Sequence, residues 1–284
     1  MTKIITEEEF FNVKDTLECG QIFRFKPFEK GYLVFSKDRA CYACNENGKA
    51  IIECKTDDEE YFRNFFDLSR DYSSIYSRAK KSEYDIVSLA AEAGKGIRIL
   101  NQDKTETLFS FLTSQNNRIP RIKSIIERTC AARGVKNSFS GEEYYSFPLP
   151  KELFDENVGF YNGLGYGYRS DFIRSTAKRL IENADELDKM TALSTKELKE
   201  SLMSFKGVGP KVADCIALFG YHRADSFPVD TWIEKLYRED FKGTLKDRKK
   251  ITDFFLNEFG EYSGYIQQYI FYYKRTLENR AEKK

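Results

Sequence analysis

Ser204-Phe-Lys-Gly-Val-Gly-Pro-Lys-Val-Ala-Asp214 is the stretch from which the fold is best read. An amphipathic run over 195–204 leads into Gly207-Val-Gly209, and Pro210 stands where a new helix would begin. Two glycines permit a sharp left-handed turn and leave backbone N–H groups uncovered. Proline at the first helical position loses no hydrogen bond. The expected element is a helix-hairpin-helix over about 195–219. A glycine turn feeding a helix N-terminus can hold a phosphate without a basic side chain. An ordinary αα-hairpin with a glycine cap has the same pattern.

Two polar residues near the hairpin carry chemistry. Lys211 opens the second helix, and Cys215 follows it by four residues on the same face. A free lysine has a pKa of about 10.4, so roughly one in two thousand is neutral at pH 7. A nucleophilic lysine therefore needs burial, positive potential or a base nearby. Asp230 closes Phe227-Pro-Val-Asp230 and precedes a helical run over 231–237, where it reads as an N-cap. A solvated lysine and a plain cap are the simpler alternatives for each taken singly.

Around this core the chain divides into two expected segments. Residues 1–96 read as an α+β subdomain with an antiparallel sheet. Its strands are Tyr32-Leu-Val-Phe35, Ala40-Cys-Tyr-Ala-Cys44 and Ala50-Ile-Ile-Glu-Cys54, with Asn45-Glu-Asn-Gly48 as a hairpin turn between the last two. Residues 97–284 read as an almost wholly helical body. Helical spacing marks 105–112, 122–130, 170–183, 195–204, 210–219, 231–237, 251–259 and 265–278. The end, 278–284, reads as a frayed tail.

Composition narrows the class. The 284 residues are 41% hydrophobic and 15% aromatic, enough for a packed core. A net charge of +1 does not advertise a polyanion partner, so any basic face must be local. Arg118, Arg121, Lys123 and Arg128 form one basic cluster, and Arg169, Arg174, Lys178 and Arg179 another. Solvated helix faces account equally well for several of these. Cys41, Cys44 and Cys54 suggest zinc, but a fourth ligand is lacking, since the one histidine, His222, is far off in sequence. No metal site is expected. The acidic start lacks an apolar signal core, and a reducing cytoplasm of a bacterial or archaeal cell is expected, with nucleoid association through DNA.

The chain resembles the 8-oxoguanine DNA glycosylase/lyases of the helix-hairpin-helix, Gly/Pro-Asp superfamily. The resemblance is carried by Gly207-Val-Gly-Pro-Lys-Val-Ala-Asp-Cys215, Pro228-Val-Asp230 and Gly20-Gln-Ile-Phe-Arg24. Leu108-Phe-Ser-Phe111, Ser114-Gln-Asn-Asn-Arg-Ile-Pro-Arg121, Gly167-Tyr-Arg169 and Ser263-Gly-Tyr-Ile-Gln267 through Phe271 add to it, in family order over roughly 13–275.

The resemblance implies a bifunctional DNA repair enzyme. Lys211 would attack the sugar C1′, expel 8-oxoguanine and form a Schiff base, and β-elimination would then nick the strand. Asp230 would stabilise the cationic sugar. The target base would be flipped out of the duplex. The Gly20 carbonyl would accept the N7–H that distinguishes 8-oxoguanine from guanine. Phe271 and Cys215 would sandwich the base, Gln267 would read its Watson–Crick edge, and Phe219 would line the pocket. Tyr168 would wedge into the duplex. Asn116, Arg121 and Arg169 would hold the orphaned cytosine, while Gly207, Gly209 and Trp232 would meet phosphates. A Cys215 thiolate paired with Lys211 would read the dipole of the lesion. The implied partner is double-stranded DNA containing oxidised guanine, met by a monomer away from any membrane.

The chain departs from the family at a few positions. Trp232 stands where animal relatives have histidine, Phe219 replaces a methionine, and Arg118 breaks an asparagine triplet. No cysteine follows Cys215, so no iron–sulfur cluster is expected; no cofactor is required, beyond a monovalent cation that the hairpin carbonyls could hold. Two rival functions are a glycosylase for another damaged purine, disfavoured by Gly20, Gln267 and Cys215, and a non-catalytic DNA-binding module, which would not need Lys211 and Asp230 together. A scaffold unrelated to DNA is a third.

Overall fold

The computed structural model describes residues 1–155 and 157–281. The reading of a frayed tail at 278–284 lies outside the described residues beyond Ala281. Strand β1 (Thr2–Glu7) and helix α1 (Val13–Glu18) come first, followed by β2 (Phe25–Phe28), β3 (Gly31–Ser36), β4 (Arg39–Glu46) and β5 (Lys49–Cys54). Helices α2 (Glu59–Phe65), α3 (Tyr72–Lys80), α4 (Asp85–Ala93), α5 (Lys104–Ser114) and α6 (Ile119–Arg133) precede a second hairpin, β6 (Lys136–Phe139) and β7 (Glu142–Tyr145). Then come α7 (Pro150–Leu153), α8 (Val158–Leu164), α9 (Ser170–Glu182), α10 (Glu186–Lys189), α11 (Thr195–Met203) and α12 (Pro210–Gly220). The last are α13 (Thr231–Glu239), α14 (Arg248–Phe259) and α15 (Ser263–Ala281).

The five-stranded sheet is antiparallel, in the order β1-β5-β4-β3-β2. Its β4–β5 turn holds Asn47 at φ 51° and Gly48 at φ 77°, the two positive values that a tight hairpin requires. One face buries Val34, Cys41, Ala43, Ile52 and Cys54 against α1 and α2. The cysteines proposed for zinc are thus buried strand residues. The other face meets the second hairpin, where Phe139 and Tyr144 pack on Leu33 and Ala40. That hairpin corrects the expectation of an almost wholly helical chain after 97. It turns at Ser140 and Gly141, both at positive φ, and Phe35 stacks on Tyr144 with ring centroids 5.0 Å apart.

The buried clusters divide the chain differently from the segments 1–96 and 97–284. Tyr72, Ile75, Ile86, Val87 and Ala90 of α3 and α4 join the large helical core, with α4 packed beside α15. The two cores are joined by a buried ion pair. Arg24, from the stretch before β2, places Nη1 3.2 Å from Glu106 of α5. Its other donors reach the carbonyls of Tyr145 (2.5 Å) and Lys37 (3.3 Å), and the Lys37 N–H also bonds Glu106. Burial raises the Glu106 carboxyl while Arg24 opposes that shift. Replacement of Arg24 by Met would leave Glu106 buried without its cation. It is expected to lower unfolding stability by about 3–5 kcal/mol in chemical denaturation.

Candidate active site

Helix α12 presents Lys211, Cys215 and Phe219 at i, i+4 and i+8, one continuous face. Phe219 is buried and stacks on Phe111 of α5, with centroids 5.6 Å apart and planes at 13°. Phe111 in turn meets Phe23 edge-on, so an aromatic floor joins α5, α12 and the segment after Gly20. The half-buried Lys211 ammonium lies 5.7 Å from the centre of the Phe111 ring. Its pKa is raised above the ordinary lysine value by Cys215 first and then by Asp230, against burial, which lowers it. Burial pushes the Cys215 thiol up.

Asp230 caps α13: its Oδ1 accepts from the N–H groups of Trp232 and Ile233, each at 3.0 Å. Both bonds go to one oxygen. Trp232 is exposed beside it. Gln267 of α15 is buried, with Nε2 3.5 Å from the Pro228 carbonyl and Oε1 without a partner among the described residues. A buried acceptor left unpaired costs about 1–3 kcal/mol, which a ligand donor would recover. Phe271 lies one turn along α15 from Gln267 and is half-buried. Gly20 faces it: a Cβ at Gly20 would lie 3.4 Å from the Phe271 ring, and φ is 101°, a conformation that other residues adopt only with strain. Gly20 and Phe271, from opposite ends of the chain, are therefore neighbours.

The remaining expected contacts lie on the outer surface. Tyr168 is exposed, with the Arg169 guanidinium 4.4 Å from its ring centre. Arg121 and Asn116 are exposed, and Asn116 has a positive φ of 45°. Arg169 departs from its expected place. It is 4% exposed and donates to the carbonyls of Gln115, Asn116 and Tyr166, so it braces the loop between α5 and α6 and presents no free fork. Of the basic clusters, Arg128 bonds the Leu164 carbonyl and Arg179 pairs with Glu186.

The hairpin treats its two glycines differently. Gly207 has φ 87°, and a Cβ there would sit 2.5 Å from the Phe172 ring. Gly209 has an ordinary extended backbone (φ −94°, ψ 177°), and nothing stands within 4 Å of where its Cβ would be. The sharp turn therefore depends on Gly207 alone. Gly209 is the side-chain-free N-cap of α12, and it leaves the first N–H groups of that helix uncovered. Sequence reasoning also passed over Asp214. It is buried three residues after Lys211 and pairs with Lys199 of α11 at 2.5 Å, with burial raising its carboxyl to about 6. Both residues, with Lys211, line a cavity of about 680 Å³ between α11, α12 and α14. Among the described residues no cluster of three or more His, Cys, Asp or Glu is placed to hold a metal. No helix there is long and apolar enough to cross a membrane.

Residues 3–108 match the family model for the 8-oxoguanine DNA glycosylase N-terminal domain. A solved structure of MBOgg1 with a low-affinity DNA ligand is 37% identical, with a TM-score of 0.92, covering 98% of this chain and 97% of that one. The 8-oxoguanine glycosylase/lyase of Clostridium acetobutylicum, solved with double-stranded DNA containing cytosine opposite 8-oxoG, is 33% identical at a TM-score of 0.90, with 97% and 98% covered. A probable N-glycosylase/DNA lyase of Methanothermobacter thermautotrophicus is 29% identical over 76% of this chain and 74% of its own length.

The glycine contrast yields a paired prediction. Gly207→Ala should lower the melting temperature, because the Phe172 ring must move and φ is strained. Gly209→Ala should leave the melting temperature within about a degree, since φ and space both permit it. It should weaken binding to duplex DNA in a fluorescence anisotropy titration, because a methyl group then stands where a phosphate would approach.

Proposed function

Because this chain belongs to the family of 8-oxoguanine DNA glycosylase/lyases, we propose that it excises 8-oxoguanine, preferring cytosine opposite, through a lysine Schiff base. It is a DNA N-glycosylase with lyase activity, and it binds DNA. The observation that supports the finer reading is the environment of Lys211, half-buried with Cys215 and Asp230 acting on its charge and the Phe111 ring beside it.

The flipped base enters between Cys215 and Phe271, with its N7–H on the Gly20 carbonyl and its Watson–Crick donors on the unpartnered Gln267 Oε1. Lys211 gives up a proton to Asp230, its Nζ bonds to C1′ as the C1′–N9 bond breaks, and the departing base takes the electron pair together with that proton. Asp230 stabilises positive charge on the sugar from the oxygen outside its cap. A proton then passes from the nitrogen to O4′ as the C1′–O4′ bond breaks, which gives the iminium. Removal of a C2′ proton then expels the 3′ phosphate, and water releases Lys211. Tyr168 fills the gap in the duplex, and Trp232 and the hairpin hold the backbone. The amine and the carboxylate suffice for this chemistry. A monovalent cation at the hairpin carbonyls would assist only phosphate contact.

Borohydride reduction tests the nucleophile. Wild type incubated with a duplex carrying one 8-oxoguanine opposite cytosine should give a covalent adduct on a denaturing gel, and Lys211→Gln should give none. Base release without an adduct would point to water as nucleophile. Asp230→Asn separates charge from capping. Asparagine caps a helix as well as aspartate, so the melting temperature should hardly change. Single-turnover base release should fall about 10²–10³-fold.

A further inference from the structure

Helix α15 carries Gln267 and Phe271 on one stripe and Gln268, Tyr272 and Arg275 on the next. The second stripe is tied to a single segment near the other end of the chain. Gln268 Nε2 donates to the Cys19 carbonyl at 3.0 Å. The Tyr272 hydroxyl donates to Asp15 at 2.6 Å. Arg275 Nη2 donates to the Glu18 carbonyl. Glu18 and Cys19 are the last residue and the C-cap of α1, whose terminal carbonyls have no partner within the helix. A guanidinium and an amide there also suit the negative end of the helix. All three bonds end one to five residues before Gly20.

Arg275 goes further than its two neighbours. Its guanidinium carbon lies 5.6 Å from the centre of the Phe271 ring. Its Nη1 lies 3.0 Å from where a Cβ of Gly20 would be, and it is buried without a hydrogen-bond partner among the described residues. One side chain therefore touches both walls of the base pocket, Gly20 and Phe271, and is bonded to the backbone two residues before Gly20.

We propose that Arg275 is a positioning residue for lesion specificity, fixing the Gly20 carbonyl against Phe271 so that the carbonyl cannot retreat from an undamaged guanine. The proposal rests on the assignment of Gly20 as the reader of N7–H. That reader discriminates in two ways: it bonds the N7–H of the lesion, and it repels the N7 lone pair of guanine. Repulsion excludes a competitor only if the repelling atom is held in place. A mobile loop would swing its carbonyl aside and accept both bases. Gln268 and Tyr272 hold the same segment from the same helix, so the recognising carbonyl and the stacking ring move as one body.

The test compares base recognition with a reaction that has no base in the pocket. In a Lys211→Gln background, dissociation constants are measured for duplexes containing 8-oxoguanine or guanine opposite cytosine. Arg275→Met, which keeps much of the packing volume, should lower the preference for the lesion about tenfold. Arg275→Lys should restore part of it, and Tyr272→Phe should shift it in the same direction as Arg275→Met with almost no change in volume. With Lys211 intact, Arg275→Met should nick a preformed abasic site at the wild-type rate. An unchanged binding ratio would overturn the proposal. So would parallel losses in the ratio, the abasic-site reaction and the melting temperature, which would make Arg275 a general structural residue. A Lys211→Gln parent that itself shows no preference would overturn the assignment of Gly20, and the role of Arg275 with it, and that failure would be visible before any substitution at 275.

Discussion

The amine of Lys211 sits where burial and charge pull in opposite directions. Burial favours the neutral amine, while the neighbouring Cys215 and the Asp230 carboxylate favour the ammonium, and the charged form prevails. A resting ammonium needs fixed neighbours, because an unpaired charge in a half-buried site would draw in water or force the helix to shift. The surroundings supply that fixity. Phe111 and Phe219 form a stacked floor beneath the amine, Asp230 is immobilised by two backbone N–H groups, and α12 is entered through a turn that only Gly207 can make. In the proposed chemistry, deprotonation occurs only once a base and its sugar have displaced solvent from this arrangement. The amine is thereby kept from reacting before a substrate is in place.

The same logic explains why the sheet subdomain is attached so firmly to the helical body. In the proposed function the site is shared: Gly20 comes from the segment after α1, Lys211 and Cys215 from α12, and Gln267 and Phe271 from α15. An error of about 1 Å in such a constellation is enough to lose most of its effect. The buried Arg24–Glu106 pair, the β6–β7 hairpin lying across the sheet and the three side chains of α15 bonded to α1 each restrict sliding between the two cores. Buried charge contributes little net stability, but it tolerates only one geometry. That is the property a site shared between two cores requires.

Much of this was legible in local sequence, because local rules govern it. Asn47-Gly48 makes its tight turn, Asp230 caps α13, and Lys211 and Cys215 share a helical face, each from spacing alone. Long-range partners were not legible. The β6–β7 strands are four residues each with one buried residue apiece, so too few buried positions alternate to give a strand period, and their buried residues pack on the sheet they cover. The engagement of Arg169 is one of these: nothing in its neighbourhood reveals that the Gln115 and Asn116 carbonyls, more than fifty residues earlier, would take up its donors. Arg275 reads as an ordinary helix arginine until its partner, some 257 positions earlier, is seen.

The charge balance of the molecule follows from these engagements. With a net charge of +1, the protein cannot rely on a broad positive field to attract DNA. Several arginines that look available in sequence are committed inside the fold: Arg24 to Glu106, Arg128 to a carbonyl, Arg169 to a loop, Arg179 to Glu186 and Arg275 to the end of α1. What remains is directional: the uncovered N–H groups at the start of α12, reached over a glycine with no side chain. Backbone donors act only at contact and add no long-range attraction. Such an arrangement binds a backbone that is already in register and gives up affinity for arbitrary duplex. In the proposed function this favours leaving undamaged DNA quickly and pausing only where a base can be turned into the pocket.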